Sequence, residues 1–224
     1  MNDNVRVANS GTLNINGSNS KLTLEAWIKP ATLQPATQTI LFKGNSNTQD
    51  CYITGCSDRQ FALYLNADGS IRFDSTSKDN AGITDTHLST APSLITVDQW
   101  HHVAAIIDGG AGVMRIYVDG HEETNGPFSA TGINPGTGDL FIGNNPGVTL
   151  PFSGVIDEVA IYNVVLSASD ILMRFNSPEM ALPAIYYLGA IVDYQDSVNE
   201  LNEGNNTALQ IDGGGSPQGI VISP

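Results

Sequence analysis

Carboxylates are the most numerous residues with chemistry in them: 23 Asp and Glu against 9 Lys and Arg leave a net charge of −14. Such a surplus either solvates a surface or gathers at cation sites. Hydrolysis of a glycosidic bond needs two carboxylates facing each other across a cleft. Glu122-Glu123 follows a turn and reads as an exposed pair, while Asp157-Glu158 falls on a strand whose alternation sends the two side chains to opposite faces. Neither is a hydrolytic pair. His101-His102 is split across a strand in the same way, and no nucleophile-elbow sequence offers a serine for it to activate. Cys51 and Cys56, the only cysteines, flank Gly55. Their spacing suits a small disulfide loop in an oxidising compartment, with two free thiols as the alternative, and a zinc site would need two further ligands that no nearby His or Cys supplies.

Glycan recognition would require an exposed aromatic platform with amide and carboxylate partners. Loops such as Gly44-Asn-Ser-Asn-Thr-Gln-Asp50 and Gly143-Asn-Asn-Pro-Gly147 either line such a site or are ordinary polar turns. Trp27 and Trp100 fall on strands beside the apolar phase and are expected to be largely buried as core packing. Asn16-Gly-Ser18 and Asn205-Asn-Thr207 are glycosylation sequons in a eukaryotic host.

The elements that must position these groups are strands. Apolar residues alternate in short bursts: Leu22/Leu24/Ala26/Ile28, Phe61/Leu63/Leu65, Ile71/Phe73, Val103/Ala105/Ile107, Met114/Ile116/Val118 and Ile156/Val159/Ile161. Turn chemistry such as Ala67-Asp-Gly-Ser70 and Asp119-Gly120 bounds them, which predicts antiparallel strands in two packed sheets through about residue 165. One helix is expected over Ser167 to Phe175, with Ser167 as N-cap, Asp170 at N3, and Ile171, Leu172 and Phe175 on one face. The 224 residues suffice for one sizeable sandwich and a small appendage. A strongly acidic chain repels phosphate backbones and anionic membranes, so neither nucleic acid nor a membrane is an expected partner. The best apolar run, Val103 to Ile107, is of strand length and does not cross a bilayer, and Met1-Asn-Asp-Asn4 has no signal-peptide character.

Three ordered segments carry a resemblance: Leu22-Thr-Leu-Glu-Ala-Trp-Ile-Lys-Pro30, then Trp100-His-His-Val-Ala104 with Arg115-Ile-Tyr-Val-Asp-Gly120, then Phe152-Ser-Gly-Val-Ile-Asp-Glu-Val-Ala-Ile-Tyr162. Together they resemble the laminin-G-like, or concanavalin A-like, domain family over roughly residues 1–180. The resemblance implies an all-β fold, a two-sheet antiparallel jelly-roll sandwich closed by one short helix and followed by an extra β tail. Hydrolases of that fold resembling laminarinase carry Glu-x-Asp-x-x-Glu on one strand, and no such spacing occurs here. The resemblance further implies a structural calcium, with side-chain oxygen from Asp157, and Asp3 and the carbonyl of Gly17 as companions. A capping or hydrogen-bonding role for Asp157 is the alternative.

From about Ala181 the composition changes: residues 182–224 hold no Lys or Arg and close on a Gly-rich run. Tyr186 to Val192 and the ending Asn199-Glu-Leu-Asn-Glu-Gly-Asn-Asn-Thr207 resemble the final strands of the CARDB family of adhesion and spacer domains. Only the last third or so of such a domain is present, so 181–224 is expected to be a partial tail that packs on the sandwich, packs on another subunit, or stays partly disordered. Its carboxylates Asp193, Asp196, Glu200 and Glu203 lack calcium-loop spacing. The expectation is therefore a secreted or surface-displayed, non-catalytic binding module, calcium-stabilised and directed at a glycan or an extracellular protein. The rival is an adhesion or assembly module whose tail strands pair with a second copy.

Overall fold

Alternating apolar side chains must be covered on one face, and in the computed structural model they meet between two sheets; residues 4–44, 59–79, 82–128, 132–145 and 150–176 are described. The strands are β1 (Val5–Val7), β2 (Lys21–Pro30), β3 (Gln38–Gly44), β4 (Arg59–Leu65), β5 (Ile71–Asp79), β6 (Gly82–Ser89), β7 (His101–Asp108), β8 (Val113–Val118), β9 (His121–Pro127), β10 (Leu140–Ile142) and β11 (Gly154–Tyr162). One sheet runs β1-β10-β3-β4-β5-β6 and the other β11-β2-β7-β8-β9, and the pairing is antiparallel throughout. The expected concanavalin A-like sandwich is present.

The core lies where the bursts predicted it. Leu22, Leu24, Ala26 and Ile28 of β2, with Val103, Ala105 and Ile107 of β7, face Phe61, Leu63 and Leu65 of β4 and Phe73 of β5. The intervening residues of β2, Thr23, Glu25, Trp27 and Lys29, turn to the outer face of the five-stranded sheet. There α1 (Ala168–Asn176) covers them: Ile171 packs with Leu166, Ala104, Ile106, Tyr117 and Tyr162 in a second apolar cluster. The helix starts as the sequence predicts. Ser167 Oγ accepts the Asp170 N–H at 3.1 Å while Asp170 Oδ2 accepts the Ser167 N–H at 3.0 Å, a reciprocal capping box.

Two local devices shape the outer face. Asp119 and Gly120 take φ of 49° and 81°, the left-handed pair of a tight hairpin turn, and join β8 to β9. In β11 the register slips between Asp157 and Ala160, and Glu158 there has φ of 49°. This is a β-bulge, with one more residue on β11 than on β2.

Two expectations need correction. Trp100 is 43% exposed rather than buried, because it precedes β7 on the outer-face phase, ahead of the stretch that α1 covers. Trp27 is half-buried, stacked on Phe175 of α1 at 5.8 Å and tilted against His102 at 5.4 Å. The Cys51–Cys56 pair, the loop 45–50, Asp3 and the whole tail from 181 lie outside the described residues.

Candidate glycan-binding face

The sequence left three groups with chemistry to place, and the histidines come first. His101 Nε2 accepts the Thr96 N–H at 3.1 Å and lies 3.0 Å from Thr96 Oγ1, while Nδ1 lies 2.8 Å from Asp119 Oδ2. Asp, His and a hydroxyl thus stand in relay order. The Nε2 lone pair is already engaged by a backbone N–H, so it is not free to take the hydroxyl proton as a general base must. The chain of bonds instead ties the segment before β7 to the β8–β9 turn, and Asp119 also accepts the His102 N–H at 2.9 Å. Burial alone would raise the Asp119 carboxyl, but these bonds from His101 and His102 hold it below the usual range. The structural reading of His101 follows from this geometry.

The carboxylates are next, and here the bulge overturns the strand-alternation reading. Val159 packs against the core and Asp157 stands opposite Trp27, so Glu158 is the extra residue. It interacts with Asp157, Glu25 and Arg174 instead of facing away from them. Desolvation is the largest cause, with Asp157 and Glu25 adding to it, and together they push the Glu158 carboxyl up to about 7. Glu25 is 6% exposed, and its Oε1 accepts from Tyr162 Oη at 2.6 Å and Arg174 at 2.8 Å. Its Oε2 has no hydrogen bond, and His102 Nε2 stands 3.7 Å away. The Arg174 guanidinium also lies over the Tyr162 ring at 4.9 Å. A buried carboxylate of this kind anchors α1 to the sheet.

The calcium ligands were the third group. Asp157 Oδ1 accepts the Glu158 N–H at 2.8 Å, and the carbonyl of Gly17 accepts the Ser20 N–H at 3.1 Å. Asp157 pairs with Trp27 whereas Gly17 lies beyond Lys21, roughly 20 Å along β2 at strand rise. The structure does not bring these two together, and among the described residues no trio of His, Cys, Asp and Glu side chains is arranged to hold a metal. The described donors do not fit one ion.

Opposite charges on the other sheet are matched internally. Arg59 binds Asp74 at 2.8 Å and also Asp85, Arg72 binds Asp74 at 2.7 Å, and Arg59, Asp74 and the neighbouring Tyr64 are buried. Two cations are answered by two anions within this set, with Arg59 and Asp74 out of solvent. Asn144 and Asn145 of the loop after β10 are buried too, and Asn144 Oδ1 accepts the backbone N–H of Asn145 at 2.8 Å and of Leu150 at 3.1 Å. The Asn144 side chain is thus engaged by the backbone.

Among the described residues, Trp100 is the aromatic side chain left exposed. Carrying the alternation of β7 back from His102 puts Trp100 on the outer face, beside Lys29, which pairs with Val155, itself 48% exposed. Val97 is exposed nearby, Asp98 is fixed by its N–H to the carbonyl of Pro30 at 2.7 Å, and Gln99 is exposed. Half-buried Trp27 and Phe175 lie on the same face, with Asp157 and Glu158 alongside. An exposed indole is a flat apolar surface able to stack on a ring. No sequence signal separated Trp100 from Trp27; only exposure does.

Residues 2–172 match the model of the family described as the concanavalin A-like lectin/glucanases superfamily. In sequence, the chain is 27% identical over 166 residues to the adhesion G-protein coupled receptor V1 of Danio rerio, covering 71% of this chain and 2% of the receptor. In structure, it is similar to the CBM40 of a Ruminococcus gnavus IT-sialidase bound to α2,3 sialyllactose (TM-score 0.54, 18% identity, 76% of this chain and 95% of that one). It is also similar to the leech intramolecular trans-sialidase (TM-score 0.57, 18% identity, 76% of this chain and 26% of that one). At these identities the structural likenesses speak for the fold.

Proposed function

The chain belongs to the concanavalin A-like lectin/glucanases superfamily, and from that premise we propose that it is a non-catalytic, extracellular carbohydrate-binding module that holds its glycan on the Trp100 face. The exposed indole of Trp100 is the observation that carries this reading. A tryptophan 43% exposed at the start of the central strand is costly to leave in water, and stacking on a sugar removes that cost. The sialyllactose complex of the bacterial CBM40 supports a sugar as the ligand class. A hydrolytic role is disfavoured: the sequence has no Glu-x-Asp-x-x-Glu, and the His101 lone pair is occupied.

A glycan array tests the reading, followed by titration of the best hit with Trp fluorescence as readout. Trp100→Ala is expected to weaken that hit at least about tenfold, the loss of roughly 1.4 kcal/mol of stacking, with the melting temperature followed alongside so that lost binding is separated from lost folding. Binding that survives Trp100→Ala removes this face from the reading. An extracellular protein is the second reading, favoured by the adhesion-receptor relative, and it gains ground where the array gives no hit. Calcium enters the proposal only through Asp157, with donors other than Gly17.

A further inference from the structure

Thr96 through Trp100 are exposed in succession, and three backbone bonds hold the turn that carries them. Ile95 sits in the core at its root and donates its N–H to the carbonyl of Gly69 at 2.9 Å. Asp98 donates to the carbonyl of Pro30 at 2.7 Å while keeping φ of 59°, a left-handed backbone that a non-glycine residue holds only where its surroundings fix it. The third tie, between these two, is Thr96 N–H to His101 Nε2 at 3.1 Å. A backbone N–H only donates, so Nε2 must accept; the ring proton then sits on Nδ1 and is donated to Asp119 Oδ2 at 2.8 Å. That arrangement exists only for the neutral ring.

We infer that His101 is a positioning residue for the Trp100 face, an inference that rests on the glycan-binding reading above: as a neutral imidazole it pins Thr96 and the turn running on to Trp100, and on taking up a proton it releases them. A protonated Nε2 points a hydrogen at the Thr96 N–H, so that bond is lost, and Thr96 Oγ1, 3.0 Å away, accepts the new N–H in its place. The other end of the ring stays bound, because an imidazolium still donates to Asp119. Burial works against the charge of Asp119, but the bonds from His101 and His102 hold its carboxyl below the usual range, so it remains an anion as the pH falls. Around the ring, Asp119 comes from the β8–β9 turn and Asp98 from the segment before β7; the partner on β2 is Ile28, with Lys29 turned to the outer face, and His102 also turns outward, toward Glu25. Release is therefore one-sided: the turn keeps its bonds at Ile95 and Asp98 and loses the one between them.

The test follows the isotope-labelled full chain by NMR between about pH 8 and pH 5, the interval in which imidazoles take up a proton, and titrates the tightest-binding glycan of the array in parallel. The Thr96 amide is expected to shift in step with the His101 ring and, at the acid end, to exchange about fivefold faster relative to its unprotected rate, the worth of one net hydrogen bond. Glycan affinity should fall by a similar factor along the same titration. His101→Gln offers Thr96 an acceptor and Asp119 a donor without the charge, so it should bind as the unaltered chain does at pH 8 and lose the fall at pH 5. A fall as large in His101→Gln as in the unaltered chain overturns the inference; if that variant does not fold, the Thr96 amide and the affinity of the unaltered chain, each read against the ring titration, decide. A Thr96 amide indifferent to the ring, with glycan binding intact, overturns the inference and leaves the glycan reading standing. Absence of glycan binding at every pH overturns both.

Discussion

Glu158 combines a left-handed backbone, φ of 49°, with a desolvated carboxyl flanked by Asp157 and Glu25. Its ordinary value of 4.5 is pushed up to about 7 in the folded protein. The folded state therefore holds this proton more tightly than the unfolded chain does. The resulting stability is fully present below about 4.5, is lost as pH climbs to about 7, and is flat beyond. A gap of that width would be worth about 3 kcal/mol at 1.36 kcal/mol per pK unit, and screening of a partly solvated group lowers this to roughly 2 kcal/mol. Glu158→Gln removes the charge while keeping the shape. It should raise stability at pH 8 by roughly 2 kcal/mol, or about 4–8 °C in melting temperature for a domain of this size. At pH 4.5 it should change stability by less than about 0.5 kcal/mol. Urea titrations of both proteins at pH 4.5, 6 and 8 give the comparison directly. If the two stability curves run parallel across this range, Glu158 is not desolvated beside like charges, and the account of the bulge is wrong.

Gly120→Ala should be strongly destabilising: the turn holds φ of 81°, and an added Cβ would stand 2.8 Å from Leu172 Cδ1 and 3.3 Å from the Leu172 backbone. A cost of about 2 kcal/mol is expected from backbone strain and displacement of α1 together, read as faster amide exchange in residues 168–176 ahead of the strands. For calcium, chelation is expected to lower the melting temperature and Asp157→Ala to abolish that sensitivity, because an ion bound only by the folded state stabilises it by mass action. A melting curve unmoved by chelator removes the ion.

The sequence made the core legible because burial writes itself as alternation, and the same logic marks where it went silent. β6 and β9 carry few apolar residues and lie at sheet edges, where solvent relieves them of the pattern that revealed β2, β7 and β8. The bulge was written in the sequence: Ile156, Val159 and Ile161 all face the core, and a strand cannot do that without one extra residue between the first two. Taken as regular alternation, Asp157-Glu158 splits across the strand. Taken with the three-residue step, it gathers two carboxylates over Glu25. Trp100 was opaque for a different reason. Trp27 and Trp100 share the outer-face phase, and what covers more of Trp27 is the reach of α1, a tertiary fact fixed by the capping box at Ser167 and the close seat on Gly120. The helix therefore helps to make the candidate site by where it stops: it clamps Trp27 under Phe175, ties Arg174 to Glu25, and ends short of Trp100.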